Sequence, residues 1–118
     1  MIQHSQSAAP LSNQIEHYRS ARDRATGLLK FEKKPDGLAA VFHLPLFGFF
    51  PAVHTFGMKF SIDLIFCDSE KKVLSIFQDV APGRWVLPWR YFFGGCSFLI
   101  EFVGCDLSRV NVGDQLKW

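Results

Sequence analysis

The sequence predicts a mainly β, single-domain antiparallel sandwich or partly closed barrel, with one short N-terminal helix. Three observations predict it. Short apolar runs recur between clusters of turn-forming residues. The clearest run, Phe60 to Asp68, alternates with period two. Phe60, Ile62, Leu64 and Phe66 share one face; Ser61, Asp63, Ile65 and Cys67 share the other. Finally, 118 residues with 48% hydrophobic and 20% charged content exclude a largely disordered chain. A chain of this length buries about two thirds of its unfolded surface, enough for a core without disulfides or structural metal.

The elements follow in order. Residues 1–13 are polar and small and read as a flexible arm before a domain over 14–118. Between Ile15 and Lys30, Ala21, Ala25, Leu28 and Leu29 suit a short helix with Arg22-Asp23-Arg24 on its wetter side. Ile15 and Tyr18 fit a preceding strand equally well. Lys33-Lys34-Pro35-Asp36-Gly37 is a turn, and Leu38 to Phe42 a strand. The segment His43 to Gly57 carries Pro45, Pro51, Gly48 and Gly57 and reads as a loop. Its Phe47, Phe49, Phe50 and Phe56 are costly to expose together, so the loop is expected to fold back as a lid or to line a pocket.

After Phe60 to Asp68, the polar run Asp68-Ser69-Glu70-Lys71-Lys72 turns into a strand over Val73 to Phe77, giving a hairpin. Pro82-Gly83 turns again. Trp85-Val86-Leu87 is a short strand stopped by Pro88, and Ser97 to Val103 is a further strand. Gly104 to Arg109 is a turn with Asp106 or Ser108 as its cap, and Gln115 to Trp118 is the last strand.

Charge narrows the partners. Thirteen Lys plus Arg against 11 Asp plus Glu leave +2, too little to call for nucleic acid. The longest apolar run, Leu44 to Val53, is interrupted by Pro45, Gly48 and Pro51 and falls short of the roughly 20 residues a membrane span needs. The first residues lack a basic and apolar leader pattern, so a cytoplasmic location is expected. Cys67, Cys96 and Cys105 are odd in number and lack C-x-x-C spacing, which argues against a disulfide framework and a zinc site. No metal or cofactor is expected. GxGxxG, P-loop, GxSxG and HExxH are absent.

Three residues are candidates for catalysis. Asp63 sits in a strand apolar on both faces, where a carboxylate must be paired or hydrogen-bonded. It is either a functional acid or, as preferred, a tie that accepts backbone N–H groups or pairs with Arg24. His54 lies nine positions earlier across a glycine, within reach of Asp63 if the loop folds back. Its alternative is a histidine bonded to backbone. Glu101 stands between Leu99 and Val103 on one strand face. It either pairs across strands with a basic residue or approaches Asp63 at a shared site. Met58, His54 and Cys67 are soft enough for copper but share no recognised spacing, and Met58 reads as core filler. Trp85, Trp89, Tyr91, Phe92 and Phe93 with Arg84 and Arg90 make an aromatic, basic stretch suited to stacking or to a protein interface.

Three blocks of the chain carry a resemblance. They are Asp23-Arg24-Ala25-Thr26-Gly27-Leu28-Leu29, the run from His54 to Asp68, and Leu99-Ile100-Glu101-Phe102-Val103-Gly104 with Gly113-Asp114. Together they resemble domain-of-unknown-function family 192, small prokaryotic proteins, over roughly residues 14–118. Thr26, Leu29 and Ser61 stand where the family commonly has Arg, Met and Pro. The resemblance implies a single β-rich domain and carries no established reaction, substrate or cofactor. The expected function is a binding or accessory module for a small molecule, a glycan or a protein segment, with Arg24, Met58, Arg84, Trp85 and Trp89 as binding candidates. One alternative is a small hydrolase- or isomerase-like enzyme using Asp63 with His54. Another is an interaction protein without a small-molecule site.

Overall fold

The structure, a computed structural model, describes residues 2–5, 10–18, 33–43, 58–86 and 96–118, and the backbone of 53–54. Nine strands lie among these residues: β1 (Gln3–His4), β2 (Gln14–Tyr18), β3 (Leu38–His43), β4 (Val53–His54), β5 (Ile62–Cys67), β6 (Val73–Val80), β7 (Trp85–Val86), β8 (Phe98–Val103) and β9 (Leu116–Lys117). Five form one sheet in the order β2-β3-β8-β5-β6; β1 pairs with β9 and β4 with β7 in two small ribbons.

The five-stranded sheet is open, with β2 and β6 at its edges, so it does not close into a barrel. It is also mixed. β2 runs parallel to β3, while the other pairs are antiparallel. This corrects the all-antiparallel expectation. The chain leaves β2 and returns in the same direction, which a tight turn cannot do and a long crossover can. The helix expected on Ala21, Ala25, Leu28 and Leu29 falls outside the described residues. Ile15 and Tyr18 belong to the preceding strand that their spacing also allowed, residues 19–32 lie outside the described residues, and no described residue is helical.

Alternation sorts the sheet into two faces. Ala39, Val41, Ile65, Cys67, Ile100 and Phe102 pack on the first; Leu38, Ala40, Phe42, Leu64, Phe66, Leu99 and Val103 pack on the second. Both faces are covered. Ile2 and Leu116, beside the β1–β9 ribbon and in it, join the first cluster. Val86 of β7 joins the second. Strands β5 and β8 are therefore apolar on both sides because water reaches neither side.

The opening residues, expected as a flexible arm, are docked where they are described. Ile2 is fully buried and Leu11 nearly so, and Gln3 and His4 pair with Lys117 and Leu116. The His4 ring is 2.8 Å from Asp114 Oδ2, which also accepts the Asn111 amide at 2.9 Å. The hydrogen bond from His4 holds Asp114 below the usual carboxylate range. The two ends of the chain are thus latched through one carboxylate.

Other acids do similar work. Asp68 accepts the amides of Glu70 and Lys72 at 2.8 and 3.0 Å and shapes the β5–β6 turn. Asp106 accepts the Ser108 amide at 2.9 Å. Gly104, just past β8, has φ of +62°, and a Cβ there would lie 2.1 Å from Asp36 Oδ1 and 3.0 Å from Asp36 Cα. Gly104→Ala is expected to lower stability by about 1–2 kcal/mol from the left-handed backbone alone, with the clash adding to it. Urea denaturation of the two proteins checks this, and equal midpoints refute it.

Candidate functional site

Strand register decides which acids can meet. Asp63 stands opposite Phe102, and Leu64 opposite Glu101. Neighbouring positions on a strand point to opposite faces. Asp63 therefore belongs to the first face and Glu101 to the second. The shared Asp63–Glu101 site is not formed, because the sheet itself stands between the two side chains.

Asp63 is built into a bulge. Ile62 pairs with Val80 and Leu64 with Phe77, so Gln78 and Asp79 together oppose Asp63. Asp79 adopts φ of +53°, and its amide, turned out of the ladder, donates to Asp63 Oδ1 at 2.7 Å. The carboxylate replaces the ladder bond that the extra residue disrupts. Sequence reasoning missed Asp79. Its only signal is that Asp tolerates the left-handed region better than most residues do.

Beside this bulge the sheet end is hollowed. A depression of about 400 Å³ is lined by Lys34, Phe60, Asp63, Asp79, Phe102 and Cys105, among others. Its volume lies within the roughly 300–1,000 Å³ of ligand pockets. Two acids and one lysine are among its lining residues, and Lys34 Nζ is 3.4 Å from Asp36 Oδ1. Asp63 makes one hydrogen bond among the described residues, and a carboxylate has room for about three more. Burial pushes the Cys105 thiol up to about 11, helped by the charges of Asp63 and Asp36 and opposed by its hydrogen bond to Val103 O. A thiol so placed stays protonated at neutral pH and is a poor nucleophile.

Glu101 occupies a different environment. It lies mid-strand in β8, between Ala40 on one side and Leu64 on the other. Only 7% of it is exposed, and burial pushes its carboxyl up to about 8. Among the described residues no Arg or Lys pairs with it. Glu16 shares its face one strand further out, beyond Ala40. The Tyr18 hydroxyl donates to Glu16, and the Tyr18 ring stacks on Phe42 at 4.8 Å.

The remaining candidates separate. The backbone of His54 pairs with Trp85 in the β4–β7 ribbon; its side chain lies outside the described residues, as do Arg24 and Trp89. Trp85 is 60% exposed and Arg84 is exposed beside it. Met58 is half-buried and packs on the second face, as a core filler does. Cys67 is fully buried, and burial pushes its thiol up, so it is not an accessible soft ligand. No helix of the described residues is long and apolar enough to cross a membrane.

A family model, DUF192, described as an uncharacterized ACR, matches residues 2–118. The chain belongs to the DUF192 family. It is 37% identical over 71 residues to a UPF0127 protein of Thermococcus sibiricus, covering 57% of this chain and 42% of that relative. That match spans less than half of the relative's length. It is 39% identical over 93 residues to a UPF0127 protein of Pyrococcus abyssi, covering 75% of this chain and 74% of the relative. A crystal structure of a protein of unknown function from Novosphingobium aromaticivorans superposes with a TM-score of 0.73 at 17% identity, covering 98% of this chain and 91% of that one. That likeness is one of fold. In this DUF192 domain, Asp63, Asp68, Gly104 and Asp114, all inside the blocks that carried the resemblance, sit at bulges and turns.

Proposed function

We propose that this DUF192 domain is a binding or accessory module on a sandwich-like β scaffold, and that its ligand is a small polar molecule with a cationic group. The depression beside the β6 bulge carries this reading. Asp63 and Asp79 line it together with Phe60 and Phe102. Carboxylates attract an ammonium or guanidinium, and the half-buried Phe60 supplies apolar contact to the rest of the ligand. Binding is favoured over nucleophilic catalysis because the thiol that lines the depression is held protonated.

The test is a thermal-shift and calorimetric panel of small primary amines, guanidines and neutral sugars. At least one amine or guanidine is expected to raise the Tm of the wild type and to leave Asp63→Asn unmoved. Asp63→Asn alone is expected to lose about 1–3 kcal/mol of stability, because a weaker acceptor then holds the Asp79 amide. A response to sugars alone, or an equal amine response in the variant, refutes the reading.

A further inference from the structure

The depression at the β6 bulge is lined by residues of both charge signs, and the topology separates them. Asp63 lines it from β5 and Asp79 from β6, while Lys34 lines it from the turn before β3. In the sheet, β8 stands between β3 and β5. Phe102, Gly104 and Cys105, at the end of β8, line the stretch in between. Strands two places apart in a sheet are about 9–10 Å from each other. The acids and the lysine therefore come from opposite sides of one hollow.

The basic side is fixed in place. The Asp36 amide donates to Lys34 O at 3.1 Å, and the Gly37 amide donates to Val103 O at 2.7 Å. Gly104 leaves no room for a Cβ beside Asp36. Lys34 pairs with Asp36 there, Nζ to Oδ1 at 3.4 Å, with the two side chains 50% and 70% exposed. An exposed pair of this kind is weak, and an ammonium has three donors, so both partners can also bond a ligand.

An ion pair of this kind is the complement of an amino-acid head group. The ammonium of Lys34 suits a carboxylate, and the carboxylate of Asp36 suits the neighbouring α-ammonium. Across the hollow, Asp63 and Asp79 suit a second cation, and Asp63 keeps acceptor capacity beyond its bond to the Asp79 amide. A ligand that meets both sides needs a chain of several bonds between its head group and that cation. Lysine, ornithine and arginine have one; an amino acid with a neutral side chain lacks the cation, and a simple amine lacks the carboxylate.

We propose that the ligand of this depression is a free basic amino acid, its head group held by Lys34 and Asp36 and its side-chain cation by Asp63 and Asp79. The inference names the ligand class of the cation-binding site proposed above and rests on that reading.

Calorimetry on the full chain compares L-arginine with agmatine and L-lysine with cadaverine, each amine being the amino acid without its carboxylate. L-norleucine, which lacks the side-chain cation, is the further control. The wild type is expected to bind at least one of the two amino acids about tenfold more tightly than the matching amine, the effect of one charge-assisted hydrogen bond, and to bind L-norleucine more weakly than either. Lys34→Gln, at an exposed position, is expected to erase the preference and keep the affinity for the amine. Asp63→Asn is expected to weaken amino acid and amine alike. Asp79→Asn, exposed and with a residue that tolerates the left-handed backbone, is expected to do the same and serves should the Asp63 variant fail to fold. Equal affinities for amino acid and amine, unchanged in Lys34→Gln, overturn the amino-acid assignment and leave the cation site standing. No binding of any of the four cationic compounds overturns both.

Discussion

Replacing Glu101 with Gln is expected to flatten the pH dependence of stability between pH 5 and pH 8. The wild-type carboxyl has an ordinary value of 4.5, and burial lifts it to about 8 in the folded chain. Between those values the folded state keeps a proton that the unfolded state has released. The contribution is full below about 4.5, falls by about 1.4 kcal/mol per pH unit as pH rises, and levels off above about 8. Glu101→Gln has no such proton to lose. The two proteins are expected to differ by about 3–4 kcal/mol more at pH 8 than at pH 5, in favour of the variant. Urea denaturation at both pH values measures this. Parallel curves for the two proteins would show that Glu101 ionises in the folded chain as freely as in the unfolded one. Among the described residues, no cation stands beside this carboxyl, placed between Ala40 and Leu64, to hold its charge.

Phe102→Ala is expected to cost about 3–5 kcal/mol, the usual loss for a buried phenyl ring. Phe102 is fully buried in β8 and stands between Ala39 and Asp63 across the ladder. Its ring packs in the first-face cluster, which also holds Ile65 and Ile100. Because it also borders the depression, the space it leaves adjoins solvent. Phe102→Leu, which keeps most of the apolar volume, is expected to lose markedly less. Denaturation midpoints rank the three proteins, and a variant within about 1 kcal/mol of wild type would show that the neighbours collapse into the gap.

The strand pattern was legible because side chains alternate with a fixed period. Leu38 to Phe42 falls within β3, the Phe60 to Asp68 run contains β5 and Ser97 to Val103 contains β8, and the faces expected for Phe60, Ile62, Leu64 and Phe66 and for Ile65 and Cys67 are the ones observed. Val73 to Phe77 was read short. The strand continues through the bulge to Val80, and a bulge has no period to reveal it. For Ile15 and Tyr18 the short apolar spacing suits either period, and the register with β3 decides for strand. Asp63 and Glu101 looked alike in sequence, each a carboxylate amid apolar neighbours. Only the register places one against Phe102 and the other against Leu64. Asp63 meets a backbone amide at the sheet end, whereas Glu101 meets none among the described residues. The hydrogen bond between the His17 and His43 rings, 2.8 Å from Nδ1 to Nε2, was invisible for a related reason. Parallel pairing across a long connection is a tertiary fact, and no local residue spacing encodes it.

The two irregularities of β6 bear on how this protein behaves in a crowded solution. β6 is an edge strand, and a regular edge offers its free N–H and C=O groups as a template for another molecule's strand. Here the template is spoiled along its length. Residues 113–116 already bond with Lys71 and Val73 at its start. Leu74 is an extra residue next, and Gln78-Asp79 is a second, with the Asp79 amide drawn inward to Asp63. An incoming strand would find its partners out of step twice within one short edge. The carboxylate that lines the depression therefore also helps to spoil this edge for a neighbouring copy's strand, so the proposed ligand capture and the irregular edge rest on the same side chain.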